Sequence, residues 1–248
     1  YDNCDLVYLK GRGIPVCNVV NYCTDMVAQH SFTMALALSQ SLPHYDNYVK
    51  SGEYSAQDRF SNFDVPFYEL AGKTWGIIGM GRIGLALARR ALAGGMKIIY
   101  HNRHEIHPAE LEHKHIDAEY VSLDTLLQTA DFVSLNLPYT PEVHHLIGAR
   151  ELSMMKKSAY LINTARGAHV HEQALVEALR QGEIAAAAMD VYENEPTISP
   201  ALLAMDNVVL SPHTGTGTWE GRIAMCQNVA ENIVAFRNHE WNKMNIVL

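Results

Sequence analysis

Basic charge is scarce in this sequence: 19 lysines and arginines stand against 27 aspartates and glutamates, a formal net charge of −8 over 248 residues. A surface of that sign repels polyanions, which argues against nucleic acid or an anionic membrane as the main partner. Thiols are few as well. Cys4, Cys17, Cys23 and Cys226 show no C-x-x-C spacing and make no dense disulfide framework, so reduced thiols in a cytoplasmic protein are expected. No apolar run is long enough to span a bilayer, and no basic-then-apolar stretch opens the sequence. Histidine is plentiful, but its clusters lack the companions of a metal centre. His101, His104, His107, His113 and His115 crowd a loop and a polar stretch, with His144-His145 further on, and no acidic or thiol partners stand at fixed spacing on one element. A solvated histidine face is expected, and no metal.

Apolar residues make up 48% of the chain, ample for a core. Their most informative arrangement lies between Leu70 and Arg103. The run Trp75, Ile77, Ile78 ends on Gly79-Met80-Gly81-Arg82-Ile83-Gly84, and a helical pattern follows through Leu85, Ala88 and Leu92. After Gly94-Gly95 comes a second short run, Ile98-Ile99-Tyr100, which closes a βαβ unit of the length dinucleotide binding needs. Each glycine of the G-x-G-x-x-G has a task. Gly79 permits the tight turn, Gly81 lets the backbone approach a pyrophosphate, and Gly84 lets the helix pack closely on the sheet. The free amides and dipole at the helix start then receive the phosphates.

Elsewhere the pattern alternates. Residues 2–10 read as a helix and 14–19 as a short strand, too little to bury a core of their own. Thr24 caps an apolar helix running to Gln40, whose Val27, Phe32, Met34, Leu36 and Leu38 spread around nearly every face, as in a connector between two domains. Residues 43–66 turn polar and aromatic (Tyr45, Tyr48, Tyr54, Phe60, Phe63), and an excursion of that length is expected to contact a partner subunit in a homodimer. Short apolar runs follow at 131–136, 159–163, 184–189 and 208–210, separated by helical patterns that include 122–129 and 171–180. An amphipathic helix is expected over 218–236, with a tail to Leu248. Strands apolar on both faces and alternating with helices imply an α/β fold with a doubly wound parallel sheet of Rossmann type, carrying remnants of a second, substrate-binding domain. The expected division is a substrate-domain remnant and interdomain helix over 1–42, an arm over 43–70, a dinucleotide-binding domain over 71–212, and a return helix and tail over 213–248.

In an open parallel sheet the ligand sits beyond the carboxyl ends of the strands. The segments that fall there are Asn136-Leu137-Pro138-Tyr139-Thr140, Asn163-Thr164-Ala165-Arg166-Gly167, the stretch from Asp190 to Pro196, and Ser211-Pro212-His213-Thr214-Gly215. They offer one arginine, a carboxylate pair and one histidine. With the glycine motif, the strings I-N-T-A-R-G, A-M-D-V-Y-E-N-E-P and S-P-H-T-G resemble the D-2-hydroxyacid dehydrogenase family over essentially the whole chain, and within it the glyoxylate, hydroxypyruvate and glycerate branch. The resemblance implies an NAD(P)-dependent oxidoreductase interconverting a small 2-oxo acid and a 2-hydroxy acid. It implies that Arg166 holds the substrate carboxylate and carbonyl, that His213 is the acid and base at the carbonyl oxygen, and that Glu195 pairs with His213. Asp190 would lie beside the nicotinamide carboxamide, and Glu193 would be solvated. Gly79, Gly81, Arg82, Ile83, Gly84, Asn102, Arg103, Pro138, Thr164, Ala165, Arg166, Asp190, His213 and Gly215 would line the cofactor. The allocation is chemically sound: a bidentate guanidinium suits a carboxylate, a histidine titrates near neutrality, and a carboxylate stabilises the imidazolium.

Two departures from the family pattern matter. Where an acidic residue should close the second strand and accept the ribose hydroxyls of NAD, Asn102 stands, followed by Arg103. That favours NADP over NAD, since the repulsion of a 2′-phosphate is gone and Arg103 can pair with it. The family also places most of its substrate domain, with a backbone clamp for the substrate carboxylate, ahead of a segment like Tyr1-Asp2-Asn3. A truncated, fragmentary or reduced chain that binds cofactor but turns over slowly is therefore expected. A dinucleotide-binding regulatory or scaffold protein is the alternative from another class. A formate dehydrogenase is the enzyme rival, although that branch carries glutamine where Glu195 stands.

Overall fold

The computed structural model describes residues 4–247, so Asp2 and Asn3 of the expected first helix lie outside the described residues, as does Leu248. The chain divides into two compact units, one running from Val27 to Gly215 and a smaller one made from the residues before and after it. In the smaller unit Asp5 accepts the Tyr8 amide at 2.9 Å and starts α1 (Leu6–Gly11). The strand expected over 14–19 does not form as an element. Cys17 meets Ile246 in one isolated antiparallel bridge, flanked by the Asn18 amide donating to the Asn245 carbonyl and the Val247 amide donating to the Val16 carbonyl.

The helix α2 (Thr24–Ser39) buries Val27, Ala28, Ser31, Met34, Ala35 and Leu38, which recur at helical spacing on one side. Leu36 is 36% exposed, so this helix is buried on one stripe and not all round. Residues 43–66 carry more order than expected. They contribute to α3 (Leu42–Lys50), which has Pro43 in its first turn, and contain α4 (Glu53–Ala56). Beyond these, Phe60 and Phe63 are 92% and 72% exposed.

The sheet begins with β1 (Thr74–Ile78), α5 (Arg82–Ala93) and β2 (Lys97–His101), the βαβ unit read from the sequence. Next come α6 (Pro108–His113), the two-residue β3 (Glu119–Tyr120), α7 (Leu123–Thr129) capped by Ser122, and β4 (Phe132–Leu135). The second half adds α8 (Ala149–Met154), β5 (Tyr160–Asn163), α9 (Glu172–Gln181), β6 (Ala186–Met189), α10 (Pro200–Leu203) and β7 (Val208–Leu210). All pairs are parallel in the order β3-β2-β1-β4-β5-β6-β7, a doubly wound sheet that switches direction between β1 and β4.

Alternation along the strands builds two cores. Trp75 and Ile77, Ile98 and Tyr100, Phe132, Ile162, Ala186 and Ala188 pack on one face against α2 and α5. Ile78, Ile99, Val133, Leu135, Leu161, Ala187 and Met189 pack on the other against α7, α8 and α9. A two-residue period with both faces covered explains why each run reads as continuously apolar.

In the smaller unit Thr218 accepts the Gly221 amide at 3.1 Å and starts α11 (Trp219–Arg237). This helix is not amphipathic in the expected sense. It turns its small residues Gly221 and Ala235 inward, while Trp219, Ile223, Val229, Ile233, Val234 and Phe236 stay exposed. No helix among the described residues is long and apolar enough to cross a membrane.

Candidate active site

The switch point is built first by glycine. Gly79 has φ +96°, and a Cβ there would lie 2.8 Å from the Asn136 carbonyl carbon and oxygen. A Cβ on Gly84 would lie 2.5 Å from the Gly79 carbonyl oxygen. Both positions exclude a side chain, one by conformation and crowding, the other by the approach of α5 to the turn. Gly81 differs, since nothing lies within 4 Å of the Cβ it lacks. That open face, beside the unbonded first amides of α5 at Arg82, Ile83 and Gly84, fits a pyrophosphate. Asn102 closes the same turn, its Oδ1 accepting the Met80 amide at 2.6 Å. Arg103 is exposed, and its charge helps hold the Glu142 carboxyl below the usual range, after the Thr140 hydroxyl and the backbone. Across the crevice Thr164 shares a 2.6 Å hydrogen bond with Ser31, the Ala165 amide donates to Asn163 Oδ1, and Pro138 is exposed.

The carboxyl ends of β6 and β7 hold an imidazole–carboxylate pair. His213 Nδ1 lies 2.8 Å from Glu195 Oε2, and the other Glu195 oxygen accepts the Tyr192 amide at 2.9 Å. A proton on Nδ1 suits that carboxylate, which leaves Nε2 on the far side of a 44% exposed ring. The backbone of His213 is left-handed, with φ +53°. Its loop is pinned by Asp190, only 1% exposed. Ser211 donates to Oδ1 at 2.6 Å, the Thr214 and Gly215 amides donate at 2.8 Å each, and His30 Nε2 stands 3.3 Å away. Burial pushes the Asp190 pKa up, but these donors outweigh it and the carboxyl lies below the ordinary aspartate range. Tyr192 braces the same loop by donating to the Met189 and Ser211 carbonyls; burial pushes its hydroxyl up to about 12. Arg166 is exposed after β5, and its Nη1 donates to the Ala165 carbonyl at 2.8 Å.

Two expectations need correction. Glu193 is not solvated, because His145 Nε2 stands 2.6 Å from its Oε1 and the Glu172 amide donates to its Oε2 at 3.1 Å. His145 therefore does not belong to a solvated face either; its ring also packs on His144 and His171. The partners lie 48 residues apart, a separation no local pattern reveals. Other histidines are structural: His107 and His171 cap α6 and α9 through Nδ1, and His101 bonds the Val121 carbonyl. Among the described residues no three His, Cys, Asp or Glu side chains are grouped to hold a metal ion. Two further histidines escaped the sequence reading. His30 reaches Asp190 from α2. His169 is 0% exposed, neither of its ring nitrogens makes a hydrogen bond of ordinary geometry among the described residues, and burial above all keeps its pKa below the ordinary histidine value. A single histidine at helical spacing carries no signal of either role.

A glycine turn at the switch point and an imidazole–carboxylate pair after β6 and β7 define a dinucleotide-dependent oxidoreductase. Comparison with known proteins narrows the class. Residues 32–215 match the model of the D-isomer specific 2-hydroxyacid dehydrogenase, NAD binding domain. The glyoxylate reductase of Thermococcus litoralis is 45% identical over 241 residues, spanning 97% of this chain and 72% of the relative. The NADPH-dependent glyoxylate/hydroxypyruvate reductase of Sinorhizobium meliloti, solved with NADP and malonate, superposes with a TM-score of 0.85 at 34% identity, covering 95% of this chain and 71% of that one. The D-lactate dehydrogenase of Aquifex aeolicus, solved with NAD and lactic acid, gives 0.87 at 33% identity, covering all of this chain and 77% of that one. The chain belongs to the D-isomer specific 2-hydroxyacid dehydrogenase family. It is an oxidoreductase that interconverts 2-oxo and 2-hydroxy acids with NAD or NADP.

Proposed function

We propose that the chain reduces small 2-oxo acids of the glyoxylate and hydroxypyruvate type, with NADPH preferred over NADH. The observation that carries this reading is the 2.8 Å contact of His213 with Glu195 at the carboxyl end of the sheet. A bound nicotinamide supplies the hydride for the carbonyl carbon. His213 Nε2 gives its proton to the carbonyl oxygen and takes it back in the reverse direction, while Glu195 steadies the imidazolium and fixes the ring. Arg166 binds the substrate carboxylate, a role for which its donation to Ala165 must be exchanged or supplemented. Gly79, Gly81, Arg82, Ile83 and Gly84 hold the pyrophosphate. Pro138, Thr164, Ala165 and Gly215 border the nicotinamide half, and Asp190 acts there mainly by setting the loop of His213.

The NADPH preference rests on Arg103 and on the absence of a carboxylate at Asn102, whose side chain is engaged with Met80. Residues 71–212 form the dinucleotide-binding domain in this reading, flanked by an arm over 43–70 and substrate-domain segments over 1–42 and 213–248. The exposed Phe60 and Phe63 support the arm as a homodimer contact, and the free thiols of Cys17 and Cys226 suit the cytoplasm. The test is a panel of 2-oxo acids with NADH and NADPH followed at the nicotinamide absorbance. His213→Ala should lower kcat by about 10²–10⁴-fold with dinucleotide affinity nearly unchanged. Unchanged turnover in that variant removes His213 from the reaction, and a higher kcat/KM with NADH removes Arg103 from cofactor choice.

A further inference from the structure

The loop that carries Glu195 is clamped from outside the acid–base pair. Glu193, two residues earlier, accepts from His145 at 2.6 Å on one oxygen and from the Glu172 amide at 3.1 Å on the other. The clamp is reciprocal, since the Glu193 amide donates back to Glu172 Oε2 at 3.4 Å. The far side of the loop is tied as well: Asn194 and Thr197 form a short antiparallel bridge, and the Glu172 side chain also accepts the Ser199 amide. His145 is itself fixed, its amide donating to the Ala168 carbonyl at 2.8 Å. Within this frame the Tyr192 amide and His213 share the two oxygens of Glu195. Burial pushes the Glu193 pKa up, but the Glu172 amide and His145 outweigh it, so a carboxylate is present for the clamp near neutral pH.

We infer that His145 is a positioning residue for the reaction, acting through Glu193 to hold Glu195 where it orients His213. This inference rests on the reading of His213 and Glu195 as the acid–base pair. The physical warrant is the steep cost of misplacing a proton donor, to which a side chain contributes whenever it removes slack from the loop behind it. Among the described residues His145 makes no hydrogen bond or ion pair with Glu195 or His213, so its effect must pass along the backbone from 193 to 195.

The test is a double-mutant cycle in the full chain. His145→Ala should lower kcat for 2-oxo acid reduction about tenfold, within the roughly 10²-fold that a 1 Å misplacement can cost. NADPH affinity, read by nicotinamide fluorescence, should stay as it was. His145→Gln keeps a donor for Glu193 and should restore most of kcat, which a variant damaged in folding would not do. In a Glu195→Gln background His145→Ala should add little, because the group it positions is already altered. Hydrogen exchange at the Tyr192 amide supplies a readout independent of turnover. It should quicken in His145→Ala and return to the wild-type rate in His145→Gln. A wild-type kcat in His145→Ala, or losses that simply add in the double variant, overturn the inference. A Glu195→Gln chain as active as wild type overturns the acid–base reading beneath it, whereas a normal Glu195→Gln loss beside an intact His145→Ala overturns the positioning role alone.

Discussion

Two helices of this chain treat their apolar residues in opposite ways. The 12-residue α5 buries Leu85, Ala86, Leu87, Ala88 and Ala91 together with Gly84, all in the larger unit. The 19-residue α11 buries only Gly221 and Ala235 and leaves two isoleucines, two valines, a phenylalanine and a tryptophan in the open. Helix formation is common to both, and what differs is the surface each meets. Alongside α5 a parallel sheet presents a row of alternating side chains, and each large residue covered there contributes on the order of 1.5–3 kcal/mol. Among the described residues of the smaller unit no such row exists, so α11 contributes little burial of its own. Resistance to unfolding should therefore reside almost wholly in the larger unit.

The sharpest test of that contrast sets one tryptophan against another. Trp75 is fully buried, lies between Phe32 and Phe132, and donates its indole N–H to Ser134 at 2.9 Å. Trp75→Ala should cost about 3–5 kcal/mol of stability in urea unfolding, and a loss below about 1 kcal/mol would mean the sheet core is not the seat of stability. A middle-sized effect concerns acid. His169 has a folded pKa held below the ordinary value by burial above all, which outweighs the opposing pull of the Pro138 carbonyl, with the Arg166 charge adding least. The unfolded chain then binds more protons than the folded one as pH drops below about 6.5. Stability from this residue is complete above that pH and is lost as pH falls toward the folded pKa. In His169→Leu the fall in melting temperature between pH 7.5 and 5.5 should shrink relative to wild type, and an unaltered fall would show that His169 is not kept neutral. The smallest effect belongs to α11. Trp219 is 71% exposed, and Trp219→Ala should change stability by no more than about 0.5 kcal/mol. A loss of several kcal/mol there would erase the contrast between the two units.

Much of the larger unit was legible because its signals are local. A strand, a glycine turn, a helix and a second strand within 30 residues state the βαβ unit without help from the rest of the chain. Strands β4 to β7 were visible as apolar runs for the reason just given, that both faces are covered. β3 was not, since Glu119-Tyr120 is two residues long and half polar. Helices α6, α8 and α10 escaped because each buries a single leucine, at 111, 152 and 202, which is too little to show a period. α3 buries nothing and reads as loop. Of the site, the segments holding Arg166, Glu195 and His213 were found through motif strings, and the structure adds the contact of Glu195 with His213. Their supports were not found: His30 for Asp190 and His145 for Glu193 are linked across 160 and 48 residues, and chain proximity says nothing about such pairs.

The left-handed backbone of His213 bears on how a sequence like this can change. At φ +53° a residue with a side chain sits about 1–2 kcal/mol above glycine, which adopts that conformation at no such cost. Selection for heat resistance alone would thus favour glycine at 213, and selection for turnover, on the acid–base role proposed for His213, would refuse it. The two pressures meet at one codon and point in opposite directions. On the acid–base role proposed for His213, a lineage that kept the fold but gave up the reaction would be free to gain stability there by placing glycine at 213.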